Sequence, residues 1–248
     1  MIRFTLACVL FSKLMTATAI VAAIFPNAIY IAADSRLTKT ANAAGPADSS
    51  EGCKIVTTPV AAFAVAALTS DSKTGFDFRA IATQALAASR GPLASRLDAV
   101  DQALAPKMKQ AADAVKEDFP AMYEIFQMGH LGQAVFAGWE AGHPVLIEDD
   151  WNIAADGGIR QERFPATEEM NLIILGSGGD AILRYVSDNP DWWMSPTPQA
   201  LEQLIQAAIK DADATHTADV GGAVSVLKID SQGQRWVSPG ICSDAARP

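Results

Sequence analysis

Apolar residues in the first third of the chain run in short, nearly continuous blocks. Residues 18–25 and 28–33 are rich in Ile and Ala and are separated by Pro26-Asn27, which is a turn signal. Strands that are apolar at successive positions are typical of a sheet covered on both faces, so these blocks predict a buried hairpin. The small, polar stretch 37–52 predicts a loop. Similar blocks predict further strands at residues 54–57, 61–68, 133–139, 144–148, 171–175, 223–229 and 235–238.

The spacing of apolar residues changes to a helical period over residues 71–128. Gly91-Pro92 interrupts this stretch, which therefore predicts two consecutive helices. A short helix is predicted near 180–187, and a longer one over 201–209. Strand pairs and helix pairs alternate in blocks rather than as βαβ units. That order favours a single α+β domain with two antiparallel sheets stacked face to face and a helix pair on each outer side.

The composition limits the classes of function. The chain has 248 residues, of which 50% are apolar and 19% are charged, which fits one large ordered domain. With 19 Lys and Arg against 28 Asp and Glu, the formal net charge is −9, and no basic cluster is present. Nucleic acid is therefore not expected as a partner. The three cysteines lack the spacing of a metal-ligand set, and no metal or other cofactor is predicted.

The N-terminal segment has the order of a secretory signal: a basic residue, an apolar run over 4–11, and a cluster of small residues over 15–19. We expect residues 1–17 to be a removed signal peptide or propeptide and residues 18–248 to form the mature domain. The protein is then exported to the periplasm or secreted. Translation from Met15 would instead leave a cytoplasmic protein without a leader.

Lys13 and Pro26-Asn27 break the one apolar stretch that approaches the length of a membrane span, so no membrane contact is expected after processing. Removal of the leader would take Cys8 with it. Cys53 and Cys242 would then either pair in an oxidising compartment or remain as buried free thiols. The sequence leaves both alternatives open.

Four segments, taken together and in order, resemble those of proteasome β-subunits and their simpler bacterial relatives, which are N-terminal nucleophile (Ntn) hydrolases. They are Ala32-Ala33-Asp34-Ser35-Arg36, Cys53-Lys54-Ile55, Leu175-Gly176-Ser177-Gly178-Gly179 and Gly221-Gly222-Ala223-Val224-Ser225-Val226. The resemblance covers residues 18–238. It implies the four-layer αββα sandwich of that family.

The resemblance also implies a nucleophile. In the family, the catalytic Thr begins the mature chain sixteen residues before the Asp of the first segment, and this spacing selects Thr18. A free α-amine, with an ordinary pKa of about 7.7–8.0, can accept the proton of the hydroxyl on the same residue. Lys54 matches the lysine that stabilises developing negative charge, and Asp34 matches the carboxylate that pairs with it. Arg36 matches a structural arginine without a chemical role.

Two further site residues follow from the resemblance. Ser177 matches a serine that hydrogen-bonds near the amine of the nucleophile. Ala67 matches the residue whose backbone N–H stabilises the oxyanion; the family usually has Gly there, and Ala can serve if its φ is negative. The chain departs from the family before Gly221, where Thr217 and Val220 replace an Asp and a Ser. Asp219 lies close enough in sequence to Thr217 to compensate only if the chain shifts.

The two possible cleavage positions have opposite consequences. Cleavage after Ala17 exposes Thr18 as the first residue. Cleavage after Ala19 gives signal peptidase the small residues that it prefers at −1 and −3, but it discards Thr18 and leaves Ile20 first. Only the first position leaves the predicted nucleophile in the mature chain.

The predicted function is that of an N-terminal threonine hydrolase, which cleaves a peptide or small amide through an acyl-enzyme and forms a homo-oligomer, as the resemblance implies. The alternative is a catalytically silent assembly or binding protein with the same fold, which the replacements at Thr217 and Val220 favour. A third interpretation is a serine hydrolase that pairs Ser177 with one of the three histidines, His130, His143 or His216, although the G-x-S-x-G elbow is missing.

Overall fold

The structure of the protein is a computed structural model, which describes residues 18–38, 49–167, 171–190, 192, 197–215 and 220–242. Within these residues the chain forms five α-helices and fourteen strands. The helices are α1 (Phe78–Ala88), α2 (Leu93–Asp118), α3 (Pro120–Met128), α4 (Gly179–Asp188) and α5 (Pro198–Ala214). The strands are β1 (Ile20–Phe25), β2 (Ala28–Asp34), β3 (Arg36–Thr38), β4 (Ser49–Glu51), β5 (Ile55–Thr57), β6 (Ala62–Ala67), β7 (Ser70–Asp71), β8 (Phe76–Asp77), β9 (Gly132–Glu140), β10 (His143–Ile153), β11 (Ile159–Pro165), β12 (Leu172–Leu175), β13 (Val224–Asp230) and β14 (Gly233–Ser238).

Two five-stranded antiparallel sheets form the centre of the domain. The first sheet has the order β12-β1-β2-β13-β14, and the second has the order β11-β10-β9-β6-β5. In the first sheet Ile20 pairs with both Leu175 and Ala33, and Asp34 pairs with Val224. The start of β1 therefore lies beside the ends of β2 and β12 and the start of β13. The mixed α and β composition and the antiparallel pairing agree with the prediction.

The apolar run of β1 is explained by its burial on both faces. Ile20 and Ala22 belong to a core shared by the two sheets, whereas Val21 and Ala23 belong to a core formed with α4 and α5. Alternate side chains of one strand thus enter different cores, which removes the apolar/polar alternation of a half-exposed strand. Small residues dominate the shared core on the second sheet, including Ala62, Ala64, Ala66 and Ala137.

The helices cover the outer faces of the sheets. Helices α1, α2 and α3 pack on the second sheet through a core that includes Phe78, Leu97, Phe136 and Trp151. Asp77 caps α1 by accepting a hydrogen bond from the N–H of Ala80 at 3.0 Å. Helices α4 and α5 pack on the first sheet. No described helix is both long enough and apolar enough to cross a bilayer.

Several local predictions were wrong. Residues 71–128 form three helices rather than two, because the chain breaks at Phe119 and α3 starts on Pro120, a favourable first helical position. The β7–β8 hairpin occupies the beginning of that range. Strand β11 was not predicted, since its charged residues hide the alternation of an edge strand. Strands β3 and β4 pair at the two ends of the predicted loop 37–52.

A disulfide resolves the alternative left open for two cysteines. Cys53 and Cys242 are bonded, with their Cα atoms 5.0 Å apart and a sequence separation of 189. Cys53 immediately precedes Lys54, so the bond joins the entry of β5 to the segment that follows β14. Cys8 lies outside the described residues.

Candidate active site

The Asp34 carboxylate organises the candidate site. It stands at the end of β2, fully buried, and accepts three hydrogen bonds. The Nζ of Lys54 donates to Oδ1 at 2.7 Å, and the backbone N–H of Ala19 donates to the same oxygen at 2.8 Å. The N–H of Gly221 donates to Oδ2 at 3.0 Å. One carboxylate thus joins three segments that are far apart in the sequence.

The shared oxygen places the predicted nucleophile next to the predicted lysine. The amide nitrogen of Ala19 belongs to the peptide bond that follows Thr18. Because this nitrogen and the Nζ of Lys54 bind one oxygen atom, the Thr18–Ala19 peptide bond lies beside the lysine side chain. Both Thr18 and Lys54 are buried. The structure therefore brings Thr18, Asp34 and Lys54 together.

Two glycines in the turn after β12 contact the carbonyl group of Thr18. The N–H of Gly178 donates to the carbonyl oxygen of Thr18 at 3.2 Å. Gly176 adopts a φ of +87°, and a Cβ at this position would overlap the same carbonyl. Ser177 lies between these two contacts and is exposed. The turn after β12 therefore places Ser177 next to Thr18. The residues on either side of it, Gly176 and Gly178, must be small because a side chain there would overlap the segment that contains Thr18.

The electrostatic environment weakens the hold of Lys54 on its proton. Burial lowers the pKa of Lys54, and the Asp34 carboxylate counteracts this effect. The positive charges of Arg79 and, less strongly, Arg36 lower the pKa further. A lowered pKa makes the Lys54 ammonium a stronger acid, so it gives up its proton more readily to a group beside it.

The segment before β13 is held against the end of β2. The Nη1 of Arg36 donates to the carbonyl of Val220 at 3.1 Å. The carbonyl of Gly221 accepts from the N–H groups of Ser35 and Arg36 at 3.2 and 3.0 Å. The Oγ of Ser35 in turn accepts from the N–H of Ala223 at 2.8 Å. Arg36 therefore has a structural role, because it holds the segment whose N–H binds Asp34.

The conformation of Ala67 corrects one premise of the sequence analysis. We expected Ala67 to present its N–H with a negative φ, but its φ is +70°. This is the left-handed region, which glycine occupies without penalty and Ala occupies at a cost of about 1–2 kcal/mol. Ala67 ends β6 opposite Gly132, at the end of the second sheet where Lys54 enters β5. The residue keeps a glycine-like backbone although it carries a methyl group.

The described histidines do not form a triad with Ser177. His130 lies 3.4 Å from Asp150 through its Nδ1, and Asp150 also accepts from the Nε2 of Gln133 at 3.3 Å. His143 pairs with Glu140 at the opposite end of β9 and β10. Asp149 lies on the face of β10 opposite to Asp150 and binds Arg163. His216 lies outside the described residues.

Glu148 and Asp150 lie on the same face of β10 and form a pair of neighbouring carboxyl groups. Burial, reinforced by the charges of Asp150 and Asp149, raises the pKa of Glu148 to about 7. Burial also raises the pKa of Asp150, although His130 opposes it. In the described part of the chain, no three His, Cys, Asp or Glu side chains meet in a way that could hold a metal ion.

Comparison with known proteins adds no family assignment. No protein-family model matches the chain. No curated protein matches it significantly. The function is therefore inferred from the residues of the site and their geometry.

Some predicted features of the site fall on residues that the structure does not describe. The leader 1–17, the alternative start Met15, and the residues Thr217 and Asp219 all lie outside the described residues. Val220 is described and is buried in the core shared with α5. Its apolar side chain at this position is explained by packing.

Sequence reasoning missed Arg79, whose charge acts on Lys54. Arg79 belongs to no recognised motif. Its position depends on the β7–β8 hairpin, which was not predicted because residues 71–128 were assigned to helices. Asp77, three residues before Ala80, is the N-cap signal that would have located the start of α1 and hence Arg79.

Proposed function

We propose that the protein is an N-terminal threonine hydrolase with the four-layer αββα sandwich of the Ntn hydrolases. The two sheets share an apolar core, and each sheet carries helices on its outer face. This arrangement supports the layer order that the sequence resemblance implies. The order of the four motif segments supports the same assignment.

The observation that carries the proposal is the shared oxygen of Asp34. It binds the ammonium of Lys54 and the amide that follows Thr18. A buried lysine without a carboxylate would lose its charge, and a carboxylate without a cation would gain a proton. The pair therefore maintains a positive charge where the hydroxyl of Thr18 would become an alkoxide.

The proposed reaction uses Thr18 as nucleophile and its α-amine as base. The amine accepts the proton of Oγ as Oγ forms a bond to the carbonyl carbon of the substrate. The tetrahedral oxyanion collapses, the C–N bond breaks, and the proton passes to the leaving amine. Water then attacks the Thr18 ester, which releases the acid product and restores the hydroxyl. The substrate class is a peptide or a small amide.

The remaining residues have supporting roles in this proposal. The backbone N–H of Ala67 stabilises the oxyanion in this proposal, although the residue has a φ of +70° and not the negative φ that the sequence analysis required. Ser177, beside the backbone of Thr18, hydrogen-bonds near its amine. Neither residue supplies a full charge, so both act through hydrogen bonds alone.

The proposal requires cleavage of the Ala17–Thr18 bond, because an acylated amine cannot act as the base. We also propose export followed by assembly into a homo-oligomer. The Cys53–Cys242 disulfide supports export, since such bonds persist in oxidising compartments. Cytoplasmic expression from Met15 would place this bond under reducing conditions.

Covalent labelling tests the proposal. A peptide epoxyketone, which reacts with a hydroxyl and an amine on one residue, is expected to modify Thr18 as located by peptide mapping. Thr18→Ala should abolish labelling and amide hydrolysis, while Thr57→Ala, which removes an exposed threonine on β5, should leave both unchanged. Absence of labelling in the processed protein would favour the silent assembly or binding protein. Hydrolysis that survives Thr18→Ala and is lost in Ser177→Ala would favour the serine hydrolase.

A further inference from the structure

The disulfide joins the edges of the two sheets beside the candidate site. Strand β14 is at the edge of the first sheet, and β5 is at the edge of the second. Cys53 lies just before β5, and Cys242 lies just after β14. At the other ends of these strands, the Nε2 of Gln234 donates to the carbonyl of Thr58 at 2.9 Å. The two edges are therefore linked at both ends, and the covalent link is at the end next to Lys54.

The Cys242 end of the bond is fixed to the first sheet at the level of Asp34. The N–H of Cys242 donates to the carbonyl of Pro239 at 2.6 Å, and the same carbonyl accepts from the Oγ of Ser225 at 2.8 Å. Ser225 follows Val224 on β13, and Val224 pairs with Asp34 on β2. The disulfide therefore ends on a turn that is anchored next to the strand end that carries the carboxylate.

The Cys53 end of the bond belongs to a short strand at a sheet edge. Strand β5 has three residues and pairs with β6 on one side. Such a segment opens more readily than the centre of a sheet. Lys54 enters this strand, yet its ammonium binds Asp34 of the other sheet at 2.7 Å. The position of the ammonium therefore depends on how firmly this edge is held to the first sheet, where the N–H of Gly52 also donates to the carbonyl of Ser35 at 2.8 Å.

We propose that Cys53 and Cys242 are positioning residues for Lys54: their disulfide holds the ammonium against Asp34, so that the reaction at Thr18 is slow until the bond has formed. This inference rests on the proposed hydrolase function. Disulfides form in oxidising compartments, so the bond makes completion of the site a step that follows export. The site is then incomplete while the chain is still in a reducing compartment.

The proposed switch is an ordinary thiol–disulfide exchange. Cys53 is half-buried, whereas Cys242 is buried, so a dithiol reaches the Sγ of Cys53 first. Its thiolate bonds to this sulfur, the S–S bond breaks, and Cys242 leaves as a thiolate that takes up a proton. The second thiol of the reagent then displaces Cys53. The protein gains two electrons and two protons, and the dithiol becomes a cyclic disulfide. Formation of the bond is the reverse exchange, with a disulfide compound as the oxidant.

The rate of Thr18 labelling by a peptide epoxyketone tests the inference in the processed protein. Reduction with dithiothreitol, under conditions where circular dichroism shows the protein folded, should slow labelling by about tenfold to a hundredfold, as a small misplacement of a catalytic group does. Reoxidation should restore the rate. The Cys53→Ser/Cys242→Ser variant should be as slow as the reduced protein and should not respond to the reductant.

Acylation of lysines by an N-hydroxysuccinimide ester, followed by peptide mapping, reports on Lys54 without any catalysis. The side chain of Lys54 is 1% exposed, so it should react slowly in the oxidised protein and about tenfold faster after reduction, as local opening exposes it. Lys109, with 42% exposure, should react equally in both forms. The matched control is Leu97→Ala, which destabilises the domain from α2, on the outer face of the second sheet. It should change neither the labelling rate nor the acylation of Lys54 in the folded protein.

The two measurements separate this inference from the function on which it depends. A labelling rate that is the same in the oxidised and reduced protein would overturn the role of the disulfide while the hydrolase proposal stands. An equal fall in Leu97→Ala would assign the effect to general stability and would also overturn it. Slower labelling without faster acylation of Lys54 would show that the bond acts through another group, again against the inference. If the oxidised protein is not labelled at Thr18 at all, the hydrolase proposal fails and this inference fails with it.

Discussion

Two carboxylates in this fold are withdrawn from solvent to the same degree but are neutralised in different ways. Asp149 on β10 binds the Nε and Nη2 of Arg163 with both of its oxygens, at 2.7 and 2.9 Å. Asp34 on β2 binds the ammonium of Lys54 with one oxygen and shares its two oxygens with two backbone N–H groups. The side chain of Arg163 is 20% exposed, whereas that of Lys54 is 1% exposed.

The difference separates a structural ion pair from a site. An arginine keeps its charge at any accessible pH and satisfies a carboxylate with two parallel bonds. Arg163 also contacts Asp98, so it retains a partner if Asp149 is removed. A buried lysine changes its charge more readily, and burial lowers the pKa of Lys54. Chemistry is therefore expected at Asp34 and not at Asp149.

Removal of each carboxylate gives the largest expected contrast. Asp34→Ala should lower the free energy of unfolding by about 3–5 kcal/mol, because it leaves the Lys54 ammonium buried without a counter-ion. Asp149→Ala should cost less, about 1–3 kcal/mol, since Arg163 keeps Asp98 and access to water. Urea denaturation of the two variants measures the difference. Equal losses would remove the distinction drawn between the two pairs.

Loss of the disulfide should have the next largest effect on the free energy of unfolding. The bond belongs to the Lys54 side of the comparison, since Cys53 precedes Lys54 in the sequence. Replacing both Cys53 and Cys242 by Ser should lower the free energy of unfolding by roughly 2–5 kcal/mol, mainly through the long loop that the bond closes. The same loss is expected when the wild-type protein is denatured in a reductant. An unfolding midpoint that is the same with and without the reductant would contradict a stabilising disulfide.

Glu148 gives a smaller, pH-dependent effect on the second sheet. Its pKa is raised to about 7 in the folded protein, so between its ordinary pKa and that value the folded state binds more protons than the unfolded state. Stability conferred by the held proton is complete below pH 4.5 and is lost as the pH rises to about 7. Glu148→Gln should raise stability above pH 7 by about 1 kcal/mol, given its partial exposure, and leave it unchanged below pH 4.

The matched control for this effect is Glu124→Gln, which changes an exposed glutamate on α3. Thermal unfolding of both variants from acidic to alkaline pH makes the comparison. A stability profile of Glu148→Gln that runs parallel to the wild-type profile would show that folding does not raise the pKa of Glu148.

The smallest effect concerns the left-handed residue at the end of β6. Ala67→Gly should raise the free energy of unfolding by about 0.5–1 kcal/mol, because the penalty of a Cβ at a φ of +70° disappears. Ala66→Gly, one residue earlier in the regular strand, should instead destabilise the protein. Chemical denaturation of the pair distinguishes local backbone strain from a general effect of glycine.

The sequence predicted those parts of the molecule that depend on local pattern. The apolar runs of β1 and β2 identified strands buried on both faces, and the helical period identified α2 and α5. Strand β11 was missed because its outward charges leave little alternation to recognise. The break between α2 and α3 was missed because Phe119 is apolar and fits the helical period on either side.

The site was predictable only as far as its motif residues. Asp34 and Lys54 were selected by the resemblance, and the structure places them 2.7 Å apart. The binding of Ala19 and Gly221 to Asp34 could not be predicted, because backbone N–H groups leave no mark in a sequence. The influence of Arg79 on Lys54 could not be predicted either, because Arg79 follows a hairpin that no motif predicts. Long-range placement of this kind is set by packing of the whole domain.

The central claim is that a free amine and a hydroxyl on residue 18 lie beside the cation of Lys54. N-terminal sequencing of protein purified from its native compartment, together with its intact mass, tests this claim most directly. The account predicts a mature chain that begins with Thr18 and retains the mass of the Cys53–Cys242 disulfide. A mature chain that begins with Ile20 would lack the nucleophile and would contradict the account.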